Sequence, residues 1–592
     1  MKKLLTGDEA VARGAWEAGV RYAAAYPGTP STEILENLST YPELTAEWAC
    51  NEKVALESVI GASIAGGRAI ASMKHVGLNV AADPLFTFSY TGVGAGTVIV
   101  TADEPGQFSS QNEQDNRYYA LSAKLPMLEP SDSNECLNMT KEAFVLSEKF
   151  DVPVLLRMTT RVCHSKSIVE VGSRQEIPVL GFEHRPDKFV MVPALSRLRR
   201  AVVEQRMADL LEYSNDCPYN FIVDNNSTTG VICSGACYCY AQEVFGDSVS
   251  YLKLGFTNPL PDRLITDFCM GKETIYVIEE NDPYIEHEVE RLGFSPLGKQ
   301  VFPPFGELTP DVLRRAVYGK HLPQIAYDTK DVINRPPALC AGCPHRGFFI
   351  ELGKRTQLMR CGDIGCYTLS FSPPYNAIDL TVCMGSGFSI AHGAAKVFAQ
   401  TEQPRKVAAV MGDSTFFHTG INSLLNTAYN QSPTINVILD NRITGMTGHQ
   451  ENPGTGYTAQ GDPTEAIDIP AIVKALGFQH VAVIDPNDLK QVSETLDKFI
   501  ALDAPSVIIT RWPCALKKFS PEDKSEFPGA YLEKFTVDEA KCIGCKLCLQ
   551  AGCPALSLDR EKKKAAIDPI QCLGCNVCAQ LCPKQAIGKE VK

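Results

Sequence analysis

The sequence of 592 residues has no uninterrupted apolar run of the roughly 18 residues that a membrane-spanning helix needs. It also has no long basic run, and its formal net charge is -13, so the charge pattern of a nucleic-acid-binding protein is missing. The opening MKKLLTGDEA offers only Leu4 and Leu5 as an apolar stretch, too short for the core of a secretory signal. We therefore expect a cytoplasmic protein of several domains that binds neither membrane nor nucleic acid.

Cysteine is abundant by contrast, with 22 residues in the chain. Thiols are kept reduced in the cytoplasm, so metal or redox chemistry is a more natural use for them than disulfides. Eight cysteines lie in the last 51 residues and form a repeat about thirty residues long. The two copies are Cys542-x2-Cys545-x2-Cys548-x4-Cys553-Pro and Cys572-x2-Cys575-x2-Cys578-x3-Cys582-Pro.

This repeat has the pattern of a bacterial two-cluster ferredoxin, in which the fourth cysteine of each run ligates the other cluster. Two [4Fe–4S] clusters are predicted, the first on Cys542, Cys545, Cys548 and Cys582, and the second on Cys572, Cys575, Cys578 and Cys553. The first run has four residues rather than three before Cys553, which leaves this ligand of the second cluster open. Zinc is the alternative for any single C-x2-C pair, but eight cysteines ending twice in Cys-Pro disfavour it.

The stretch from Lys406 to Gln450 predicts a strand, a glycine turn, a helix and a second strand. The first strand ends at Gly412-Asp413-Ser414 and the second at Asp440-Asn441. Asp413 and Asn441 should thus stand at the carboxyl ends of neighbouring parallel strands, where ligands bind in α/β sheets. One carboxylate, one amide and the backbone carbonyl of Ile443 suit the Mg²⁺ of a bound diphosphate. The helix after Ser414 would point free N–H groups at the same anion.

A second glycine turn precedes this stretch. Gly385, Ser386 and Gly387 open a predicted helix from Phe388 to Phe398. The small residues allow the backbone to approach a diphosphate closely. A lone G-x-G is a weak signal, and its proximity to the first motif gives it weight.

Gly412-Asp413-Ser414, with Asn441 following 28 residues after the aspartate, resembles the thiamine diphosphate (TPP) signature of the transketolase and 2-oxoacid oxidoreductase families. The usual third residue of that signature is Gly or Ala, and Ser414 is a small variant of it. The resemblance implies TPP and Mg²⁺ as cofactors.

TPP enzymes of the common type need a carboxylic acid to protonate N1′ of the aminopyrimidine. Glu52, at the start of a predicted helix of small residues, resembles the catalytic glutamate of 2-oxoacid:ferredoxin oxidoreductases, and Glu57 on the same helix is a structural control. The turn Tyr26-Pro-Gly-Thr-Pro30 resembles their Tyr-Pro-x-Thr-Pro turn, which implies that Thr29 lies by the substrate. Arg117 matches an arginine that grips the substrate carboxylate in that family; a solvated loop arginine is the alternative.

A third, proximal [4Fe–4S] cluster is also expected. Cys340, Cys343, Cys366 and Cys514 are similar in layout to the ligands of such a cluster in 2-oxoacid oxidoreductases. The pair lies in Cys340-Ala-Gly-Cys343-Pro-His, where the family more often has Cys-x-Gly-Cys-Gly. Cys361 remains an alternative to Cys366.

The fold class expected for the whole chain is α/β and multidomain, with TPP-binding parallel sheets flanked by helices and a C-terminal two-cluster ferredoxin domain. The expected domains are a pyrimidine-binding domain (1–185), a linker helix region (186–225), a middle α/β domain resembling the transketolase C-terminal domain (226–330), a diphosphate-binding domain (331–520) and the ferredoxin domain (532–592).

This domain order resembles the large subunits of the indolepyruvate:ferredoxin oxidoreductase family over essentially the whole chain. The resemblance implies oxidative decarboxylation of aryl pyruvates with coenzyme A (CoA), ferredoxin as acceptor, and a smaller beta subunit with a gamma-type domain in an α2β2 assembly. Two alternatives stay open. One is a related enzyme acting on pyruvate, phenylglyoxylate or a branched 2-oxo acid. The other is a non-catalytic electron-transfer subunit, which the presence of Glu52, Asp413 and Asn441 disfavours.

Overall fold

A computed structural model of the chain describes residues 1–589 except 324, 326, 333–335, 403 and 404. The last three residues of the predicted ferredoxin domain, 590–592, thus lie outside the described residues. The chain divides into two compact units, Met1–Tyr327 and Asp328–Lys592. No helix in the described part of the chain is long and apolar enough to cross a membrane.

A seven-stranded sheet forms the centre of the first unit. Six of its strands are parallel, and the seventh, at one edge, is antiparallel. The inner strands are buried on both faces, which explains their continuous apolar sequences. In spatial order the strands are Phe256–Asn258, Met127–Leu128, Val154–Thr159, Thr97–Asp103, Ala69–Lys74, Tyr22–Ala25 and Thr45–Trp48.

Helices cover this sheet, and several begin at capping residues that the sequence supplies. Asn51 caps Glu52–Ile64 by accepting a hydrogen bond from the Val54 N–H, and Asp132 caps Ser133–Phe150 in the same way. The helices before residue 220 are Gly7–Glu17, Thr32–Leu38, Glu52–Ile64, His75–Val80, Ala82–Thr91, Arg117–Ala123, Ser133–Phe150, Thr160–His164, Pro186–Phe189 and Pro193–Asp216. Lys2–Leu5 and Ser167–Glu170 form a separate antiparallel pair.

The middle segment builds a four-stranded sheet in the order Thr274–Ile278, Thr229–Ser234, Ser250–Leu254 and Phe221–Val223. Its helices are Ala236–Phe245, Asp262–Cys269, Tyr284–Arg291 and Pro310–Tyr318, with a 3₁₀ turn at Gly246–Ser248. The same segment also contributes Phe256–Asn258 to the edge of the seven-stranded sheet. The expected pyrimidine-binding domain (1–185), the linker helix region (186–225) and the expected middle domain as far as Tyr327 all lie within one compact unit, and the boundaries between them stay a prediction.

The second unit contains a five-stranded parallel sheet in the order Met359–Cys361, Val407–Gly412, Ile435–Asp440, Ser506–Arg511 and His480–Ile484. Its helices are His345–Gly353, Gly387–Phe398, Asp413–Thr415, Ile421–Tyr429, Ile469–Ala475, Leu489–Ile500 and Pro521–Glu526, with 3₁₀ turns at Thr329–Asp331 and Cys366–Phe371. Phe416–Gly420 is a π-helical turn between two of these helices. Such turns are frequent at functional sites.

The C-terminal part of the second unit is a small ferredoxin-like region. It consists of two antiparallel strand pairs, Phe535–Val537 with Ile587–Lys589 and Leu556–Asp559 with Lys564–Ile567, a 3₁₀ turn at Leu547–Ala551 and the helix Val577–Gln580. Arg346 fixes it to the diphosphate-binding part by donating a hydrogen bond to the Ala551 carbonyl at 2.5 Å. The predicted fold class, parallel α/β sheets followed by a two-cluster ferredoxin domain, is confirmed.

Candidate active site

The carboxyl ends of two neighbouring strands carry the predicted Mg²⁺ ligands. Val407–Gly412 and Ile435–Asp440 pair in parallel, and Asp413 and Asn441 follow them directly. Both side chains are buried. The Asn452 amide donates to Asp413 Oδ2 at 3.3 Å, and the Ile443 N–H donates to Asn441 Oδ1 at 3.3 Å. The fold therefore brings the Asp413 carboxylate, the Asn441 amide oxygen and the Ile443 backbone together at one edge of the sheet.

Burial of the Asp413 carboxyl outweighs the Ser414 and Ile443 N–H groups and the Asn452 amide, which lower its pKa. Burial and the neighbouring Asp440 carboxylate raise the pKa of Asp413 to about 7. Asp440 itself is paired with Arg511 at 2.8 Å. A divalent cation beside Asp413 would supply the missing positive charge, and hard oxygen donors are the ligands that Mg²⁺ prefers. The residues present therefore fit a Mg²⁺ ion.

A buried aspartate that sequence reasoning missed organises the second glycine turn. Asp363 accepts hydrogen bonds from the Gly385 and Gly387 N–H groups, both at 2.7 Å. The Ser386 hydroxyl donates to the Cys383 carbonyl at 2.7 Å. The signal that was available is Gly-Asp directly after the short strand Met359–Cys361, the same pattern as Gly412-Asp413.

Gly385→Ala is expected to weaken TPP binding at least about tenfold, because the turn has no room for a side chain. Gly385 has a φ of +84°, and a Cβ there would lie 1.6 Å from Thr419 Oγ1. TPP affinity, measured by calorimetry at fixed Mg²⁺, checks the prediction. Gly393→Ala is the control, since its added Cβ meets no atom within 4 Å. Equal affinities for both variants would contradict the assigned role of the turn.

In the first unit, the predicted catalytic residues follow neighbouring strands of the seven-stranded sheet. Thr29 lies in the turn after Tyr22–Ala25, and Glu52 follows Thr45–Trp48, its parallel neighbour. Glu52 is buried in the first turn of its helix. Its carboxyl packs against Gly77, where an added Cβ would lie only 2.6 Å from Oε1. A glycine is therefore required beside this carboxyl.

Arg117 is buried among acidic partners and lines a small cavity in the first unit. It is 1% exposed, and its guanidinium donates to Asp115 and to Glu279, the latter at 2.6 Å. It also donates to the carbonyls of Glu280 and Asp282. These bonds join the loop after Thr97–Asp103 to the middle segment. This burial disagrees with the alternative of a solvated loop arginine, and the grip on a substrate carboxylate stays a prediction.

The eight C-terminal cysteines surround two cavities in the grouping that the ferredoxin pattern predicts. One cavity is lined by Cys542, Cys545, Cys548 and Cys582. The other is lined by Cys553, Cys572, Cys575 and Cys578, together with Gly342 and Arg346. Cys553 thus lies with the second quartet despite the extra residue before it.

The distance between cysteine sulfurs distinguishes a zinc site from a [4Fe–4S] site. Tetrahedral zinc, with Zn–S bonds of about 2.3 Å, would bring its thiolates to about 3.8 Å from one another. Within the described ranges, no three cysteine sulfurs lie mutually within 4.8 Å. A [4Fe–4S] cluster spaces its thiolates more widely, since each binds a different iron atom. The quartets therefore fit clusters better than zinc.

The four cysteines expected to hold the proximal cluster, Cys340, Cys343, Cys366 and Cys514, are also neighbours of one another. Burial, followed by the nearby Cys514 and Cys340 thiols, raises the pKa of Cys366 to about 11. Burial likewise raises the pKa of Cys343 to about 12, with Cys514 and Cys366 among its neighbours. Cys361 is buried in a different apolar cluster with Phe388 and Met411. These neighbours favour Cys366 over Cys361 as the fourth member.

Two histidines, His345 and His449, lie close to the predicted metal ligands and to Cys514. His345 Nε2 lies 3.4 Å from the Asn441 amide, and His449 Nε2 lies 3.7 Å from Cys514 Sγ. Burial lowers the pKa of His345 to about 4, so its imidazole is neutral at physiological pH. These contacts connect the diphosphate-binding edge to the Cys340 group within the second unit.

Comparison with known families agrees with this geometry. Residues 13–204 match the family described as pyruvate flavodoxin/ferredoxin oxidoreductase, thiamine diP-binding. Residues 363–510 match the C-terminal TPP-binding domain of thiamine pyrophosphate enzymes, and residues 531–586 match the 4Fe-4S dicluster domain. All three matches fall where the corresponding sites lie in the structure.

Individual relatives extend the comparison to the full chain. The indolepyruvate oxidoreductase subunit IorA of Pyrococcus abyssi is 40% identical over 99% of this chain and 96% of its own length. The subunit of the same name from Methanothermobacter thermautotrophicus is 40% identical over 95% of this chain and 98% of its own length. The 2-oxoglutarate synthase subunit KorA of Archaeoglobus fulgidus is 26% identical over 51% of this chain and 96% of its own.

Fold, sites and matches together define an enzyme of the TPP-dependent 2-oxoacid:ferredoxin oxidoreductase class, which confirms the predicted class. Within that class, the chain belongs to the family of indolepyruvate oxidoreductase subunits IorA.

Proposed function

We propose that this chain catalyses the oxidative decarboxylation of aryl pyruvates, namely indolepyruvate, phenylpyruvate and hydroxyphenylpyruvate. The 2-oxo acid anion, CoA and two oxidised ferredoxins give aryl-acetyl-CoA, CO₂, two reduced ferredoxins and one proton. The observation that carries the aryl assignment is the 40% identity to subunits named indolepyruvate oxidoreductase over nearly the whole chain.

Bound TPP would supply the carbanion chemistry that loses CO₂ from a 2-oxo acid. We assign the metal-holding role to Asp413, Asn441 and the Ile443 carbonyl, and the close backbone approach to the turn at Gly385–Gly387. Glu52 would donate a proton to the aminopyrimidine, with its carboxyl held against Gly77. Thr29 would lie beside the substrate, at the same edge of the seven-stranded sheet as Glu52.

Electrons would leave one at a time through the iron-sulfur clusters. The [4Fe–4S] groups assigned to the Cys340 group and to the two C-terminal quartets are one-electron carriers, so they suit a ferredoxin acceptor. Arg346 links these sites, because it donates to the Cys340 carbonyl at 2.6 Å and lines the cavity of the second quartet. The relatives are named as subunits, which supports a separate beta subunit, and we propose an α2β2 assembly with it.

Iron content distinguishes three clusters from two. The reconstituted full chain should hold about twelve iron atoms, and the Cys340→Ala/Cys343→Ala variant about eight. Cys361→Ala is the matched control and should keep all of them, because this thiol packs in an apolar cluster. Anaerobic iron and sulfide analysis measures the iron content per chain. Eight iron atoms in the unmodified chain would remove the third cluster from the proposal.

Substrate preference tests the aryl assignment. With the beta subunit, CoA and ferredoxin present, kcat/KM should be highest for indolepyruvate and its phenyl analogues. Pyruvate and 2-oxoglutarate are the comparison substrates, and each extra methylene-sized group that fills an apolar pocket is worth roughly 1–3 kcal/mol. A higher kcat/KM for pyruvate or 2-oxoglutarate would overturn the assignment while leaving the reaction type intact.

A further inference from the structure

Three helix ends meet at a cluster in the first unit that the proposed reaction does not use. Asp8 lies in the first turn of Gly7–Glu17, Glu33 in the first turn of Thr32–Leu38, and His164 at the end of Thr160–His164. One ligand atom from each side chain lies within 4.8 Å of the other two. His164 Nε2 is 4.0 Å from Glu33 Oε2.

Asp8 is the unusual member of this cluster. Its side chain is completely buried, and within the described residues neither carboxylate oxygen has a hydrogen-bond partner at good geometry, the Cys163 thiol and the Glu33 carboxyl being the polar groups beside it. An unsatisfied buried carboxylate is costly. Its neighbours include the Cys163 thiol and the Glu33 carboxylate, and burial followed by Glu33 raises the pKa of Asp8 well above its usual range. Glu33 Oε2 also has no hydrogen-bond partner in the described part of the chain.

A bound cation would therefore neutralise the Asp8 and Glu33 carboxylates. The imidazole of His164 indicates which class of cation fits. An imidazole suits transition metals, whereas Mg²⁺ and Ca²⁺ favour oxygen ligands alone. Bonds of roughly 2.0–2.2 Å require the three ligand atoms to move closer together. Glu33 and His164 have side chains that are 45% and 44% exposed, so both are free to make this movement.

We propose that Asp8, Glu33 and His164 bind a divalent first-row transition-metal ion, with water completing its coordination. The ion would join three helices that surround one end of the seven-stranded sheet. The helix of Glu33 begins two residues after the Tyr26–Pro30 turn that contains Thr29. The Ser31 N–H donates to the Gly28 carbonyl at 3.0 Å within that connection. The metal thereby anchors the segment that follows the Thr29 turn.

The test is a Mn²⁺ titration of the full-length chain with oxidised clusters, in which electron paramagnetic resonance measures free Mn²⁺. The unmodified chain should bind about one Mn²⁺ more than His164→Ala. The Mg²⁺ site at Asp413 takes up Mn²⁺ in both proteins, so the difference reports on the new site alone. Zn²⁺ should displace this additional Mn²⁺, since zinc binds such donor sets more tightly.

His184→Ala is the matched control, because His184 is also exposed in the first unit. It should bind as much Mn²⁺ as the unmodified chain, whereas Asp8→Asn and Glu33→Gln should both lose the same single ion. Iron content and far-ultraviolet circular dichroism establish that each variant is folded. Equal Mn²⁺ stoichiometry in the unmodified chain and in folded His164→Ala would overturn the proposal. That result would leave Asp8 and Glu33 sharing a proton instead.

Discussion

Asp413→Ala should abolish Mg²⁺-dependent retention of TPP, with a loss of affinity of at least about 100-fold, equivalent to about 2.7 kcal/mol. Asp413 is the only carboxylate among the three assigned metal ligands, and its burial means that water does not readily replace it. The Asn441 amide and the Ile443 carbonyl alone would leave the charge of Mg²⁺ poorly compensated. Gel filtration with and without Mg²⁺, followed by thiamine assay, measures the retention.

Asp485→Ala provides a matched control for this variant. Asp485 follows His480–Ile484 in the same sheet, just as Asp413 follows Val407–Gly412. It accepts a hydrogen bond from the Asn487 N–H at 2.8 Å and has no assigned role in metal binding. Its removal should leave TPP retention unchanged. Retention by Asp413→Ala as strong as that of the control would refute the metal assignment.

Glu52→Gln should lower turnover by about 10²- to 10⁴-fold while TPP remains bound. Glutamine has the same shape and fills the space against Gly77, but it does not transfer a proton as a carboxylic acid does. The defect should therefore lie in cofactor activation. The rate at which the thiazolium C2 proton exchanges with deuterium reports on that step directly, and TPP affinity is measured in parallel.

Glu57→Gln is the corresponding control on the same helix. Glu57 pairs with Lys53 on a half-exposed face, where an ion pair contributes little. This variant should keep both the exchange rate and the turnover of the unmodified enzyme. Exchange in Glu52→Gln at the unmodified rate would remove Glu52 from the mechanism.

The parts of the sites that were predictable from sequence are those governed by local spacing. Asp413 and Asn441 each follow a continuous apolar strand, and parallel strands necessarily bring such residues to one edge of a sheet. The two cysteine quartets were likewise predictable, because the ferredoxin pattern includes the exchange of the fourth ligand. Cys553 lies with the second quartet because the Leu547–Ala551 turn and Gly552 accommodate the additional residue.

The parts that could not be predicted depend on contacts distant in sequence. Arg117 has the local sequence of an exposed loop residue, but Glu279, 162 residues later, pairs with it in the interior. The strand Phe256–Asn258 is too short to show that it pairs with Met127–Leu128. Asp363 holds the turn at Gly385 and Gly387 across more than twenty residues. No periodicity in the sequence specifies any of these pairings.

Oxidation of an aryl pyruvate at TPP should deliver electrons to this chain's own clusters. Anaerobic addition of indolepyruvate, with CoA, TPP, Mg²⁺ and the beta subunit, should bleach the visible iron-sulfur absorbance within the time of one turnover. The same addition to Glu52→Gln should bleach it at least about 100-fold more slowly. Bleaching by pyruvate with none by indolepyruvate would contradict the substrate, and no bleaching by any 2-oxo acid would contradict the account as a whole.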